Sequence, residues 1–451
     1  MKRKTGYLLI LWMFSLSFIT LYAQNDYNGF NLKDYFTPDI VRNALELNLQ
    51  LNGNTDHVTD SVSTTSVGLN NFEIGFSRLV NTRRRISTVD AQVKLNLNYQ
   101  DKSNDVTHFV FGNLQAIQWY NSIYYKPKNF FSFGVNANHN GNYDKVKEGS
   151  SYQHLNSLDN ESLSATAGWG FGRIERVEDA RQAIYILEDL KKNKVLSRDM
   201  SKDEIFEFSQ LISTVKNKRF LDDRLHRIDE ITTIDNYLKN KQILTNSDAA
   251  YFTSLYDMWD YGALFDRNAG SRFSINLTPG IRREYDNEEQ TSVDQNYNSS
   301  YKNENTFLFS GAQLDFSYQY SIPVKLNWQH DFNASLSVNA LNVKPDWKAS
   351  PFWFFQQMGK VSYTLGYYPT TRTNVYVGVN YQLFNQKYQD SDQNNCYQIA
   401  NLNGGVYYYI SPNIRFSGSI GLYDQLSNYG YYSNQNNFSF GYLLSLAYLF
   451  F

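Results

Sequence analysis

The final stretch of the chain, Asn436 to Phe451, reads NNFSFGYLLSLAYLFF and constrains the fold more than any other segment. Phe440, Tyr442, Leu444, Leu446, Tyr448 and Phe450 fall on one parity, with Gly441 and Ser445 on the other. A period of two belongs to a strand, and a large apolar side chain at every second place is the pattern of a strand with one face in lipid. The run is too short for a membrane-crossing helix, which needs about 20 apolar residues. One such strand cannot stand alone in a bilayer, because its backbone groups would lack partners. The rest of the chain should therefore repeat the pattern, and it does.

The cleanest repeat sets Ala91, Val93, Leu95, Leu97 and Tyr99 against Gln92, Lys94, Asn96, Asn98 and Gln100. That exceeds a usual globular strand of about five or six residues and suits a tilted crossing of the hydrocarbon layer. Similar runs recur from Ala44 to Tyr423, for instance Leu163 to Phe171, Ala312 to Tyr320 and Val375 to Leu383. The count is about fourteen, with 12–16 compatible with the pattern. Short turns, such as Lys126-Pro127-Lys128 and Ser321-Ile322-Pro323, alternate with long polar stretches read as loops, Asn140–Glu161, Glu284–Asn305 and Asp390–Asn395. The expected fold class is an all-β transmembrane antiparallel β-barrel with an inserted α-helical subdomain.

Between Arg173 and Gly270 the period changes. Val177, Ala180, Ile184, Leu187 and Leu190 are spaced for one face of a helix. Ser201 and Glu204 form a capping box ahead of Ile205, Phe208, Ile212 and Val215. A third helical pattern carries Leu225, Ile228, Ile231 and Leu238, and a fourth Tyr251, Leu255 and Met258. The expected division is a lead-in at 24–43, about six strands over 44–173, the helical insert over 174–270, and about eight strands over 271–451. With both termini on one side, an even number of strands before the insert places it on that side as well.

The amino terminus has a basic start, Met1-Lys2-Arg3-Lys4, an apolar run from Tyr7 to Tyr22, and Ala23-Gln24 at a plausible cleavage point. This is the pattern of a cleaved signal peptide over 1–23 and implies export. A single cysteine, Cys396, rules out a disulfide within the chain. A net charge of -2 gives no nucleic-acid footprint. Mean hydropathy is -0.52, too polar for a helical membrane protein, yet 16% of residues are aromatic. A barrel with a wet interior and aromatic girdles has that composition.

On the polar parity, Asp90, Lys94, Asp315, Lys325 and Lys360 are candidates for lining a lumen. Gly168-Trp169-Gly170-Phe171-Gly172-Arg173 reads as small lumen-facing residues between outward aromatics; it lacks the order of a phosphate-binding loop. Arg83-Arg84-Arg85 suits either anionic headgroups or a solvated turn. His57, His108 and His154 lie in or beside the inferred external loops, but no HExxH or GxSxG motif accompanies them. No catalytic, cofactor-binding or metal-binding residue is therefore expected.

The terminal strand resembles the closing strand of Gram-negative outer-membrane β-barrels. That resemblance implies an outer-membrane lipid environment and an assembly signal, Tyr448, Phe450 and Phe451, read by the barrel assembly machinery. Gly172-Arg173-Ile174-Glu175, Val177 and Asp179-Ala180-Arg181 through Leu190, with Lys218-Arg219 and Asp222 to Arg227, resemble the insert of an uncharacterised outer-membrane β-barrel family of Bacteroidetes-type bacteria. The resemblance implies a periplasmic helical insert and no catalytic residues. Arg173, Arg176, Arg181, Arg219, Arg224 and Arg227 are candidates for docking a periplasmic protein partner. Such a barrel is expected to be a channel or transporter passing or exporting solutes through its polar lumen. A plugged barrel anchoring an envelope assembly is the alternative, and a barrel-embedded hydrolase a remote one. Phe451→Ala, or loss of the closing strand, is expected to impair membrane assembly; a normal heat-modifiable barrel in the membrane fraction of expressing cells would contradict this.

Overall fold

The structure is a computed structural model that describes residues 29–448 except 59–61, 103–105, 218–222, 262–265, 295–296, 349, 390–393, 412–413 and 430–434. The signal-peptide segment, Phe450, Phe451 and Arg219 lie outside the described residues. Six strands come first: β1 (Ile40–Val58), β2 (Val62–Asn81), β3 (Arg85–Lys102), β4 (Val106–Tyr124), β5 (Asn129–Glu148) and β6 (Tyr152–Arg176). Four helices follow: α1 (Glu178–Lys192), α2 (Lys202–Lys216), α3 (Asp223–Asn240) and α4 (Ala249–Tyr261). The remaining strands are β7 (Asn268–Asp294), β8 (Tyr297–Val324), β9 (Trp328–Pro345), β10 (Phe352–Thr370), β11 (Thr373–Tyr388), β12 (Asn394–Ser411), β13 (Ile414–Tyr429) and β14 (Gln435–Tyr448). All fourteen form one antiparallel sheet in which each strand pairs with its neighbours in sequence, with β1 and β14 at the two ends of the series. The fold class is all-β, of the up-and-down barrel type, with a helical domain inserted between β6 and β7. Among the described residues no helix is long and apolar enough to cross a membrane.

The two parities have different surroundings. Phe131, Phe133 and Val135 on β5, Leu163, Trp169 and Phe171 on β6, and Leu277 and Ile281 on β7 are exposed. The opposite parity is inside the curl of the sheet. Ser132 on β5 donates to Asn276 on β7 at 2.6 Å, across the whole of β6. In a flat sheet those strands are about 9.6 Å apart, too far for two short side chains to meet. The contact requires a sheet curved toward this face, and Gly168 makes room for it. A Cβ at Gly168 would lie 2.2 Å from Asn276 Oδ1 and 2.6 Å from Ser132 Oγ. Likewise a Cβ at Gly170 would lie 2.1 Å from Cζ of Phe130, which is fully buried. The glycine-rich stretch thus has its small residues inside and Trp169 and Phe171 outside, as its spacing suggests.

Two polar segments read as loops are almost wholly strand, and so is the described part of a third. Residues 140–161 belong to β5 and β6 and residues 284–305 to β7 and β8, with full antiparallel registers up to Glu148↔Tyr152 and Asp294↔Tyr297. In the 390–395 segment, Asn394 and Asn395 already pair with β11. Beyond the apolar band both faces of a strand meet water, so the alternation disappears while the backbone ladder continues. The turn placed at 321–323 also shifts: β8 runs to Val324, and the reversal falls on 325–327. The insert occupies 177–267 rather than 174–270, since β6 and β7 remain paired down to Arg176↔Asn268.

The insert has its own core, in which Ala180, Ile184, Leu187, Leu190, Ile205, Phe208, Ile212, Leu238 and Leu255 are buried. The capping box is formed: Glu204 N–H donates to Ser201 Oγ at 3.3 Å, and Ser201 N–H to Glu204 Oε2 at 2.9 Å. One helical face differs from its reading. Ile228 is 78% exposed, and α3 presents Ile234 and Leu238 to the core. The lead-in joins this core through Phe30, Leu32 and Tyr35. Gly170→Leu is expected to destabilise the refolded protein by about 1–3 kcal/mol through overpacking against Phe130. Adding Phe130→Ala should recover part of that loss in urea unfolding followed by tryptophan fluorescence.

Candidate functional site

The inner wall is built from the second parity. Asp90 and Lys94 on β3, Asp315 on β8 and Lys360 on β10 all lie on it, each directly opposite a polar or small residue of a neighbouring strand: Ser77, Glu73, Ser337 and Ser335. Asp315 Oδ1 accepts from Gln313 Nε2 at 2.7 Å and Ser337 Oγ at 2.5 Å. Ser274 and Ser317 hydroxyls meet at 2.7 Å, and those of Thr166 and Thr278 at 3.0 Å. Lys325 is not on the wall. It occupies the β8–β9 turn with φ 60°, because a reversal that tight needs a left-handed residue there.

At the end of the wall nearest the insert the interior is filled. Arg272 stacks over Phe130 at 4.5 Å and donates to Ser122 Oγ at 2.8 Å and Tyr120 OH at 3.3 Å, spanning β7 to β4. Tyr124 packs on Phe130 with ring centroids 5.1 Å apart and donates to the Gly172 carbonyl.

The insert covers this end. Arg267, fully buried, donates to Gln329 Oε1 at 2.8 Å and to the carbonyls of Leu326 at 2.7 Å and Trp328 at 2.8 Å. Its guanidinium lies 4.6 Å from the Tyr368 ring centre. Burial lowers the Arg267 pKa to about 10, so the group stays charged at neutral pH. Arg181 of α1 is fully buried beside the same Tyr368 ring, 5.2 Å from its centre, and burial pushes its pKa down as well. Arg372 of the β10–β11 turn pairs with Asp257 of α4 and stacks on Tyr261 at 4.0 Å. The lead-in completes the cover: Phe36 lies under Arg83 at 3.1 Å, and Asp34 pairs with Lys202 at 2.8 Å.

Four of the arginines expected to dock a partner protein make contacts within their own chain. Arg173 pairs with Glu175 at 2.7 Å and donates to Asn81 Oδ1 and the Thr82 carbonyl. Arg176 pairs with Glu178 and Asp266, and Arg227 with Asp260. Arg181 is inaccessible. Arg173 and Arg176 end β6 while Arg181 and Arg227 lie on helices, and in sequence a charged side chain reads the same whether it is paired within the chain or exposed. The side chain of Arg224 is not described. Of the Arg83–Arg85 run, Arg83 stacks on Phe36 and Arg85 donates to Asn121 at 2.9 Å, so both contact their own chain. Tyr448, on β14, is exposed on the apolar parity.

Sequence reasoning missed Arg267, Gln329, Tyr368 and Arg372, whose partners are distant in the chain. Phe30-x-Leu32-x-x-Tyr35-Phe36 carried an apolar signal that marks the docked lead-in. His108–Asp144 at 2.9 Å, His139–Glu161 at 3.7 Å and His154–Glu288 at 3.2 Å are separate cross-strand pairs on different strands. Among the described residues no three metal-ligating side chains converge.

No protein-family model and no curated protein sequence matches the chain. Solved structures that are similar include the CymD monoaromatic hydrocarbon channel, at 8% identity over 92% of this chain and 89% of that one, with a TM-score of 0.35. The toluene transporter TbuX of Ralstonia pickettii matches at 7% identity over 91% and 90%, TM-score 0.32. The transport unit of the autotransporter AIDA-I from Escherichia coli matches at 12% over 88% and 92%, TM-score 0.26. Likeness this distant carries no argument about what the chain does.

The capping box that starts α2 gives a measurable handle on the cover. A charge-assisted bond from Arg198, with the Ser201 N–H, holds the Glu204 carboxyl at about 2, below its ordinary range. A depressed carboxyl contributes stability that is complete above its unfolded pKa of roughly 4.3 and is lost as pH falls toward the folded value. Glu204→Gln is expected to cost about 1 kcal/mol at neutral pH, with the difference from the parent shrinking between about pH 4.3 and 2. Thermal unfolding of the full chain, followed by helical circular dichroism, checks both.

Proposed function

We propose that the chain is an outer-membrane channel whose polar interior is closed at its periplasmic end by the helical insert. The observation that carries this reading is the docking of the insert and lead-in onto the β2–β3, β8–β9 and β10–β11 turns, over the polar inner wall. Exported sequence features, alternating strands and an apolar band support the outer membrane as the location. On β6 and β7 that band runs from Leu163 to Phe171 and from Phe273 to Ile281, close to the roughly nine to eleven residues that a strand needs to cross a bilayer. With both termini periplasmic, six strands before the insert support a periplasmic position for it, in keeping with the resemblance of Gly172 to Leu190 to periplasmic inserts.

The Arg372–Asp257 pair at the edge of the cover is a suitable latch, since it is partly exposed and joins one turn to one helix. The buried Arg267 and Arg181 contacts hold more firmly, because removing a partner leaves a charge without compensation. A second reading, a plugged anchor without conductance, is favoured by the Phe130, Tyr124 and Arg272 packing at the same end. Planar-bilayer conductance of the mature chain separates the two. Small or infrequent steps are expected from the intact protein. Replacing residues 177–267 with a short turn should give stable ohmic steps, and Asp257→Arg should raise open probability. No conductance from any of the three would overturn the channel and leave the anchor.

A further inference from the structure

On the apolar face, two successive rows of cross-paired residues traverse β2 to β9. One runs from Phe76 through Ile117 and Leu163 to Asn342; the next runs from Ile74 through Glu161 and Arg283 to Lys344. Between them lies a groove with a cavity of about 1000 Å³. Its floor is low where Ala91 and Ala137 stand between the larger Phe76, Ile117 and Leu163. This is more than the flat annulus that scattered apolar side chains would make.

The groove changes chemistry along its length. Barrel strands tilt by roughly 35–45°, so a row perpendicular to them climbs through the membrane. At β2 and β3 the row is apolar, with Ile74 and Val93, and β3 stays apolar beyond it at Leu95 and Leu97. From β5 onward the same row carries His139, Glu161, Arg283 and Lys344, and the strands above it are polar. The cationic end therefore sits where the apolar band gives way to the strand extensions. Glu161 lies between His139 and Arg283, 3.7 Å from each. The two fixed cations, Arg283 and Lys344, flank Leu308 on strands two apart.

We infer that this groove is a binding site for a phosphorylated, multiply acylated glycolipid of the outer leaflet. The inference rests on the outer-membrane reading above. Acyl chains lie along the apolar row from Phe76 to Ile281, held by van der Waals packing, since lipid tails are already out of water. Phosphate meets Arg283 and Lys344, whose bonds to an anion are charge-assisted. The strands that carry the two cations are about 9.6 Å apart, a spacing that fits phosphate groups spread over a disaccharide better than the single phosphate of a glycerophospholipid. A groove crossing eight strands also accepts more than one tail.

The test uses the full mature chain in phosphatidylethanolamine vesicles containing a minor fraction of either a bisphosphorylated, multiply acylated disaccharide lipid or phosphatidylglycerol at matched charge. Native mass spectrometry reads bound lipid, and the thermal midpoint reads linkage. The expected result is retention of the glycolipid, with about tenfold weaker binding for the Arg283→Ala, Lys344→Ala double variant and a similar loss for Ala137→Trp, which fills the floor. Lys344→Glu alone should weaken binding without altering the fold. Heat-modifiable migration in every sample reports the barrel independently of the site. Equal binding of glycolipid by the parent and all variants, or equal retention of phosphatidylglycerol, in a chain that migrates as a folded barrel overturns the site alone. A chain with no heat-modifiable form in any vesicle overturns the barrel reading, and the site with it.

Discussion

Everything in this structure follows from the need to pair backbone N–H and C=O groups where water cannot reach them. A strand in lipid has no alternative to its neighbours, so sequence neighbours become spatial neighbours in all thirteen strand pairings. That leaves the side chains free to differ. One parity takes whatever lipid tolerates, and the other takes what a curved, wet interior can pack. The glycines on β6 show how the two demands meet: their missing side chains let β5 and β7 touch across an intervening strand, which tightens the curl locally.

Much of this was legible in the residues. The alternation of Ala91 to Gln100 and the Gly168 to Phe171 parity were readable because each strand reports its own environment. The Ala180, Ile184, Leu187 and Leu190 face was readable for the same reason, as a helix reports its own core. Strand ends were not, because the polar residues of 140–161 and 284–305 carry no contrast once both faces are wet, although the ladder goes on. Lys325 looked like a wall residue because parity was extended one step past a turn whose location depends on φ. Ile228 looked buried because its spacing fits a helical stripe, while the rotation of α3 is set by what it packs against. The roles of Arg181 and Arg267 depend on Tyr368, nearly two hundred residues from the first. No local pattern carries information of that range.

The cover at the end of the barrel uses a costly material. A guanidinium is expensive to bury unless its donors and its flat face are both occupied. Arg267 meets that need with two carbonyls, an amide oxygen and an aromatic face. A purely apolar contact at this place would slide more easily, since dispersion has little directionality. Directional donors aimed at the backbone of one tight turn fix where the insert sits. The lead-in adds Phe30, Leu32 and Tyr35 to the same core, so the cover is stitched from two parts of the chain on either side of six strands.

The pairing of Arg176 with Asn268 has a consequence for chain entropy. β6 and β7 are adjacent in the sheet, yet roughly ninety residues separate them, against a few at other turns. Were those residues a random coil, holding the two strands together would cost roughly 3 kcal/mol more than a short turn does, at about 0.6 kcal/mol per doubling of length. A domain that folds by itself and returns its ends to one point removes most of that cost in advance. The insert is then a fastener for the middle of the sheet as well as its cover, and a mutation that melts it would loosen the β6–β7 seam from a distance.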